Sequence, residues 1–388
     1  MKLYLLKFLD KSFCVLLGFL AKFSRKSRHI PNSLLIPSKI LVIKLSAMGD
    51  ALSLMPSVRY LQDAFPHAHI DWLTTNRCQP SLFEKLRFIH KIYRIPTSFF
   101  SATIFLASFL FKCRKYDLVI DYDQYYRVSE FVSNFGKVNV GFKTNLKGNT
   151  FLMAESYDPL KNEKYQFRDL TALVINKYHN NSSYFNINLP ELIQNFKPND
   201  YLLKLLKAAK SKGRPLVIVY PGSSLNAKFR RWDHSKFQKI IDFLRIDFTV
   251  IIAGGKDEAD IKNFFRKDSY VYNWIGLLNL NEWSWVFGKH IFFAVANDGG
   301  LFHLLESQLV PIVGIFGPSL YEKWGSVNST SIAVHKPIEC RPCLKNYLGI
   351  VPHSCARGDL ACLESISIDD VKEAISNLAS KITVTKNK

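Results

Sequence analysis

Residues 39–74 read KILVIKLSAMGDALSLMPSVRYLQDAFPHAHIDWLT, and the order of patterns in them sets the fold class. Lys39 to Leu45 is a short run rich in branched apolar residues, the mark of a strand buried on both faces. The turn Ser46-Ala47-Met48-Gly49-Asp50 follows. Leu52, Met55, Val58 and Leu61 then fall on one face of a helix that Pro66 closes. His69 to Thr74 predicts a second strand. Strand, helix and strand at this spacing make a right-handed βαβ unit on a parallel sheet.

The alternation continues outward. Tyr116–Asp121 (YDLVID) and Val138–Phe142 (VNVGF) predict further strands, and the polar stretch 180–200, with Pro190 and Pro198, predicts a linker. A second series follows in LVIVY (216–220), TVIIA (249–253), IFFAVA (291–296) and Pro311–Phe316. Three of these run into glycine loops, Pro221-Gly222-Ser223-Ser224, Gly254-Gly255 and Asn297-Asp298-Gly299-Gly300. Doubly wound sheets bind ligands at such strand ends. An α/β protein of two facing halves is expected. Its divisions are a leading segment 1–38, a first domain 39–195, a second domain 196–365 with a cysteine-rich loop at 340–362, and a closing helix and tail at 366–388.

Charge narrows the partners. The chain has 52 Lys and Arg against 32 Asp and Glu, a net +20, which favours phosphorylated small molecules, anionic lipid surfaces or nucleic acid. No nucleic-acid recognition motif accompanies it, so that class is set aside. No apolar stretch reaches the roughly 18 residues of a spanning helix. The best, Ser12–Ala21, is followed by KFSRKSR rather than a cleavage site. Residues 1–39 hold eight Lys/Arg and one acid, Asp10, with leucines and Phe13 at helical spacing. A basic amphipathic helix lying on an anionic membrane is expected; the alternative is an ordinary helix packed on the body. A reducing, cytoplasmic location follows from the missing export signal.

The loops carry the candidate chemistry. Asp50, in a first helical turn at a crevice, can act as a general base on a hydroxyl or simply cap its helix. Gly49 would allow a left-handed turn or close approach of a ligand. Ser223, Ser224, Arg230 and Arg231 suit a diphosphate, with a solvated basic face as the alternative. Asp298, Gly299, Gly300 and His303 suit a phosphate and a sugar, or else a plain N-cap and a helix histidine. Asp257 or Glu258 could reach ribose hydroxyls. The triplet Asp121-Tyr122-Asp123 could hold a divalent metal, but two carboxylates make a sparse hard-cation site; Asp121 with Gln124 and Arg127 fits an acceptor better. Cys340, Cys343, Cys355 and Cys362 could form a structural zinc site or disulfides, although only the first pair has the usual spacing.

Taken together, these motifs resemble glycosyltransferase family 9, the bacterial heptosyltransferase family of lipopolysaccharide core assembly, over roughly residues 39–378. The opening strand, SAMGD loop and FP-closed helix, YPGSSLNAKFRRW, and NDGGLFHLLESQLVPIVGIFGPSLYEKWG carry the likeness, as does the tail CRPC…C…C…ISIDDVKEAI. The resemblance implies a GT-B fold of two facing Rossmann-like domains. It implies inverting transfer, typically from ADP-heptose, to a lipid-linked anionic glycan acceptor, with no required metal cofactor, at the inner face of the cytoplasmic membrane. Another nucleotide sugar, or a non-catalytic GT-B relative, is the alternative. Asp50 matches the family's base; Ser46, Gly49, Asp121, Gln124 and Arg127 fall on the acceptor side. Ser223, Ser224, Arg230 and Arg231, with Asp257, Glu258, Asp298, Gly299, Gly300 and His303, fall on the donor side. Gly299 departs from the family's Ser or Thr, and Arg230 from its common Lys.

Overall fold

The branched run at 39–45 becomes β1 (Lys39–Ile43), every residue after Lys39 buried. It belongs to a computed structural model that describes residues 35–145, 147–179, 196–345 and 350–386. The leading segment 1–34, and most of the linker expected over 180–200, lie outside the described residues. The chain divides into two units, Met1–Pro190 and Glu191–Lys388.

The first unit runs β1, α1 (Met48–Ala64), β2 (His69–Thr75), β3 (Lys91–Ile95), α2 (Phe99–Cys113), β4 (Leu118–Asp121), α3 (Arg127–Ser133), β5 (Val138–Lys143), β6 (Met153–Ser156) and α4 (Glu163–His179). Its sheet has the order β3-β2-β1-β4-β5-β6, with every pairing parallel. Alternate residues Leu41 and Ile43 of β1 join Leu73, Val119 and the inner α2 residues Ala102, Phe109 and Cys113 in one core cluster.

The second unit runs α5 (Asp200–Lys210), β7 (Leu216–Tyr220), α6 (His234–Leu244), β8 (Thr249–Ile252), β9 (Val271–Asn273), α7 (Leu280–His290) and β10 (Ile291–Asn297). α8 (Gly300–Ser307), β11 (Ile312–Ile315), α9 (Tyr321–Trp324), β12 (Ile332–Val334), α10 (Ala361–Glu364) and α11 (Ile368–Lys386) complete it. Its order, β12-β11-β10-β7-β8-β9, is again all parallel. The closing helix α11 buries Val371, Ile375, Leu378 and Ile382 in the core that Val217, Val219 and Phe237 share.

Each sheet therefore reverses direction beside its first strand, between β1 and β4 and between β7 and β10. Doubly wound sheets bind ligands at such a switch point, outside the carboxyl ends of the strands. Among the described residues no helix is long and apolar enough to cross a membrane.

Candidate active site

At the first switch point the turns after β1 and β4 converge. α1 begins at Met48, so Gly49 is a helical residue and the left-handed turn considered for it does not occur. Asp50 is the third residue of the helix. Its Oδ2 accepts a hydrogen bond from the Ala47 N–H at 2.8 Å, so one oxygen is indeed a cap. Its Oδ1 lies 3.6 Å from the Lys44 ammonium and 3.4 Å from Gln124 Nε2. The side chain keeps 8% of its surface exposed.

Lys44 is the hub and has no exposed surface. It donates to Gln124 Oε1 at 2.6 Å and stands 3.9 Å from Asp123 Oδ2. Burial works against its charge, but Asp50, Asp123 and Glu163 outweigh that and raise its pKa. Gln124 passes the network on, donating to Glu163 Oε1 at 2.8 Å, while Glu163 Oε2 accepts from the Tyr157 hydroxyl at 2.8 Å. Asp123 accepts from the N–H groups of Leu45, Tyr125 and Tyr126. Burial opposes its ionisation, but Lys44, Lys147 and these amides overcome it and hold its carboxyl below the usual range.

Two residues expected on the acceptor side are buried. Asp121 has no exposed surface; Lys147 Nζ donates to its Oδ2, to the Asp123 carbonyl and to Ser129 Oγ, at 2.5, 2.5 and 2.7 Å. Burial pushes the Asp121 carboxyl up to about 6 against the pull of Lys147. Gln124 is equally enclosed, so both side chains brace the site. The Asp-x-Asp pair thus meets two lysines. Ser46 is buried and Arg127 half-buried at the start of α3.

Asp123 sets an acid limit on the first unit. Its folded pKa is depressed, so the folded state binds fewer protons in acid than the unfolded chain. The stability it brings is present above the ordinary carboxylate pKa of about 4 and is lost as pH falls through the folded value. Asp121 acts in the opposite sense, so the comparison is made between variant and wild type. In Asp123→Asn the urea midpoint should fall less between about pH 6 and about pH 3 than in the wild type; equal slopes would exclude this role.

At the second switch point the loops after β7 and β10 are tied together. Arg230 Nη1 donates to Asp298 Oδ2 at 3.2 Å, and Nη2 lies 3.4 Å from the exposed Ser224 Oγ. The same Asp298 oxygen accepts from Ser319 Oγ at 2.6 Å. Asn297 donates to the Pro221 carbonyl at 2.8 Å and accepts from the Trp232 N–H at 3.2 Å, locking β10 to the Pro-Gly-Ser-Ser loop. His303 Nε2 is 4.0 Å from Asp298 Oδ1, and its buried Nδ1 makes no hydrogen bond. Gly299 precedes α8 and Gly300 opens it, where the first amides of a helix lack intrahelical acceptors.

Other expected donor contacts are spent inside the loops. Ser223 is fully buried and donates to the Ala227 carbonyl at 2.9 Å. Arg231 is enclosed against Ser223 and pairs with Asp260 at 2.8 Å, so it braces the loop. Glu258 is buried with both oxygens engaged, by the Tyr220 hydroxyl at 2.9 Å and the Gly255 N–H at 2.7 Å, which leaves the exposed Asp257 as the open carboxylate of that pair. Gly222 makes this packing possible, since a Cβ there would stand 2.5 Å from Glu258 Cγ. At Gly299 a Cβ would stand 3.0 Å from the Tyr220 hydroxyl and 3.1 Å from its ring. The position where a Ser or Thr is usual is therefore overhung by Tyr220.

Cys340, Cys343, Cys355 and Cys362 are free thiols. Among the described residues no three His, Cys, Asp or Glu side chains are grouped to hold a metal ion.

The residues that sequence reasoning missed are Lys44, Glu163, Lys147, Ser319 and Tyr220. Only Lys44 had a local signal: a lysine inside VIKL has no route to water and needs buried carboxylates.

Two parallel six-stranded sheets of equal order, each with its polar loops at the switch point, match the GT-B fold. The profile of glycosyltransferase family 9 (heptosyltransferase) matches residues 111–348. The chain belongs to this family. Among solved structures it is similar to the family 9 glycosyltransferase of Veillonella parvula DSM 2008, with 17% identity, a TM-score of 0.68, and coverage of 92% of this chain and 100% of that one. The E. coli ADP-heptose LPS heptosyltransferase II gives 15%, 0.62, and 88% and 99%. The E. coli heptosyltransferase WaaC with ADP gives 17%, 0.61, and 88% and 99%. No curated protein matches the chain.

Proposed function

We propose that the chain transfers a heptose from ADP-heptose, with inversion and without a required metal, to a lipid-linked anionic glycan such as a lipopolysaccharide core. The observation that carries the reading is the Arg230–Asp298 join, which places a guanidinium, the Ser224 hydroxyl and the first amides of α8 around one strand-end crevice. Cationic and N–H donors fixed in advance are what a leaving diphosphate needs. Relatives of the same fold were solved with ADP and with ADP-2-deoxy-2-fluoro heptose, which supports the choice of donor.

Asp50 is the base in this reading. It takes the proton of the acceptor hydroxyl as that oxygen bonds to the anomeric carbon; the carbon–oxygen bond to the diphosphate breaks, and its electron pair leaves with ADP. Asp50 lies before the family-matched span, so its role rests on its own surroundings: a carboxylate pinned by Ala47, Lys44 and Gln124 that keeps some exposed surface.

The test is incubation with ADP-heptose and core lipids, followed by mass analysis, beside binding of ADP, GDP, UDP and CDP. One added heptose and a preference for ADP are expected. Transfer from another nucleotide sugar would overturn the donor, and tight nucleotide binding with no transfer from any donor would overturn catalysis.

A further inference from the structure

α2 crosses the first sheet with an unusual outer face. Its inner residues Ala102, Phe109 and Cys113 enter the core, yet Phe100, Ile104 and Phe111 stand 74%, 54% and 69% exposed. With Ala107 these occupy positions i, i+4, i+7 and i+11, a single stripe along the helix. A surface helix would normally turn charged residues outward there. Between Phe99 and Phe111 there are none, and the whole stretch 91–116 contains no acid. Its charges are Lys91, Arg94, Lys112, Arg114 and Lys115. Lys91 and Lys112 share the Tyr93 ring, at 5.0 and 5.8 Å from its centroid, so a lysine of β3 and one at the end of α2 meet on one surface, while Arg94 pairs with Glu84.

We infer that the outer face of α2 docks onto an anionic lipid surface, the apolar stripe entering the headgroup region and the basic rim meeting lipid phosphates. Charge complementarity selects this occupant. The leading residues 1–34 carry seven Lys/Arg and one Asp, so they would set like charge against the rim. A second copy of the face would do the same, whereas an anionic bilayer satisfies both the stripe and the rim. The chain also enters the described region beside this rim. Ser38 donates to Asp117 through its N–H and hydroxyl, both at 2.9 Å, just beyond Lys115, and Leu35 and Ile36 ahead of it are 89% and 68% exposed. The inference rests on the reading of a lipid-linked acceptor for its purpose, and on α2 and the lysines beside it for its evidence.

The experiment uses the full chain and vesicles without sugar donor, so it fails or succeeds separately from the transferase reading. Partition is measured on phosphatidylglycerol/phosphatidylethanolamine and on pure phosphatidylcholine vesicles, with hydrogen exchange followed across residues 99–113. The expected result is binding to the anionic vesicles that weakens with salt, slower exchange at 99–113 on them, and partition weakened about tenfold or more in Phe100→Ser/Ile104→Ser/Phe111→Ser. These side chains are exposed, so the variant should melt like the wild type. Unchanged partition of the variant would overturn the inference. So would exchange at 99–113 that quickens without vesicles when residues 1–34 are deleted, or that slows with protein concentration alone; these would assign the face to the leading segment or to a second copy.

Discussion

Replacing Asp50 by asparagine is expected to slow sugar transfer by about 10²–10⁴-fold, the span that a positioned general base supplies, while ADP affinity stays within about twofold of wild type. Asparagine is the informative choice because its side-chain oxygen can still accept from the Ala47 N–H, preserving the cap at 2.8 Å. The capping and the catalytic readings therefore separate. If Asp50 acts only as a cap and as a partner of Lys44, the variant melts lower but turns over like the wild type, and normal turnover would remove it from the mechanism. The nucleotide arm of the measurement keeps the comparison clean, since the donor loops belong to the other unit.

The second large effect falls on Lys44. Substitution by methionine keeps the length of the side chain and removes the ammonium that faces Asp50, Asp123 and Glu163. Breaking a buried charge cluster from one side leaves the partners uncompensated, at a cost of about 3–5 kcal/mol. For a domain of this size the unfolding transition of the first unit should drop by roughly 10 °C. Lys44→Met combined with Asp123→Asn should regain part of the loss, because one of the stranded charges goes with it. A single variant as stable as wild type, or a pair whose losses simply add, would show that the cluster is not coupled through Lys44.

The interior of each sheet was legible in the sequence, and the margins were not. β1, β2, β4 and β5, and likewise β7, β8, β10 and β11, were expected from apolar runs, because a parallel strand covered on both faces has little room for polar residues. The outer strands β3, β6, β9 and β12 went unread. They are three to five residues long with mixed burial, KIYRI running from exposed to buried and MAES from buried to exposed, and such segments carry little periodicity. The glycine loops were found for the right reason, since they end interior strands. What the sequence does not show is which side chains of these loops turn back into the protein. Ser223, Arg231 and Glu258 have the chemistry of ligand contacts, but local spacing does not say whether a hydroxyl or a guanidinium turns outward or back into its own loop. Glu163 was beyond reach altogether, as it joins Gln124 from the start of α4, 39 positions on.

The crowding of Gly299 by Tyr220 couples two positions 79 apart along the chain. A serine at 299 would set its Cβ 3.0 Å from the tyrosine hydroxyl and 3.1 Å from the ring, so it enters only as the ring, held through Glu258, gives by a few tenths of an ångström. Substitutions at 220 and 299 are therefore expected to be non-additive, as those of packing neighbours are.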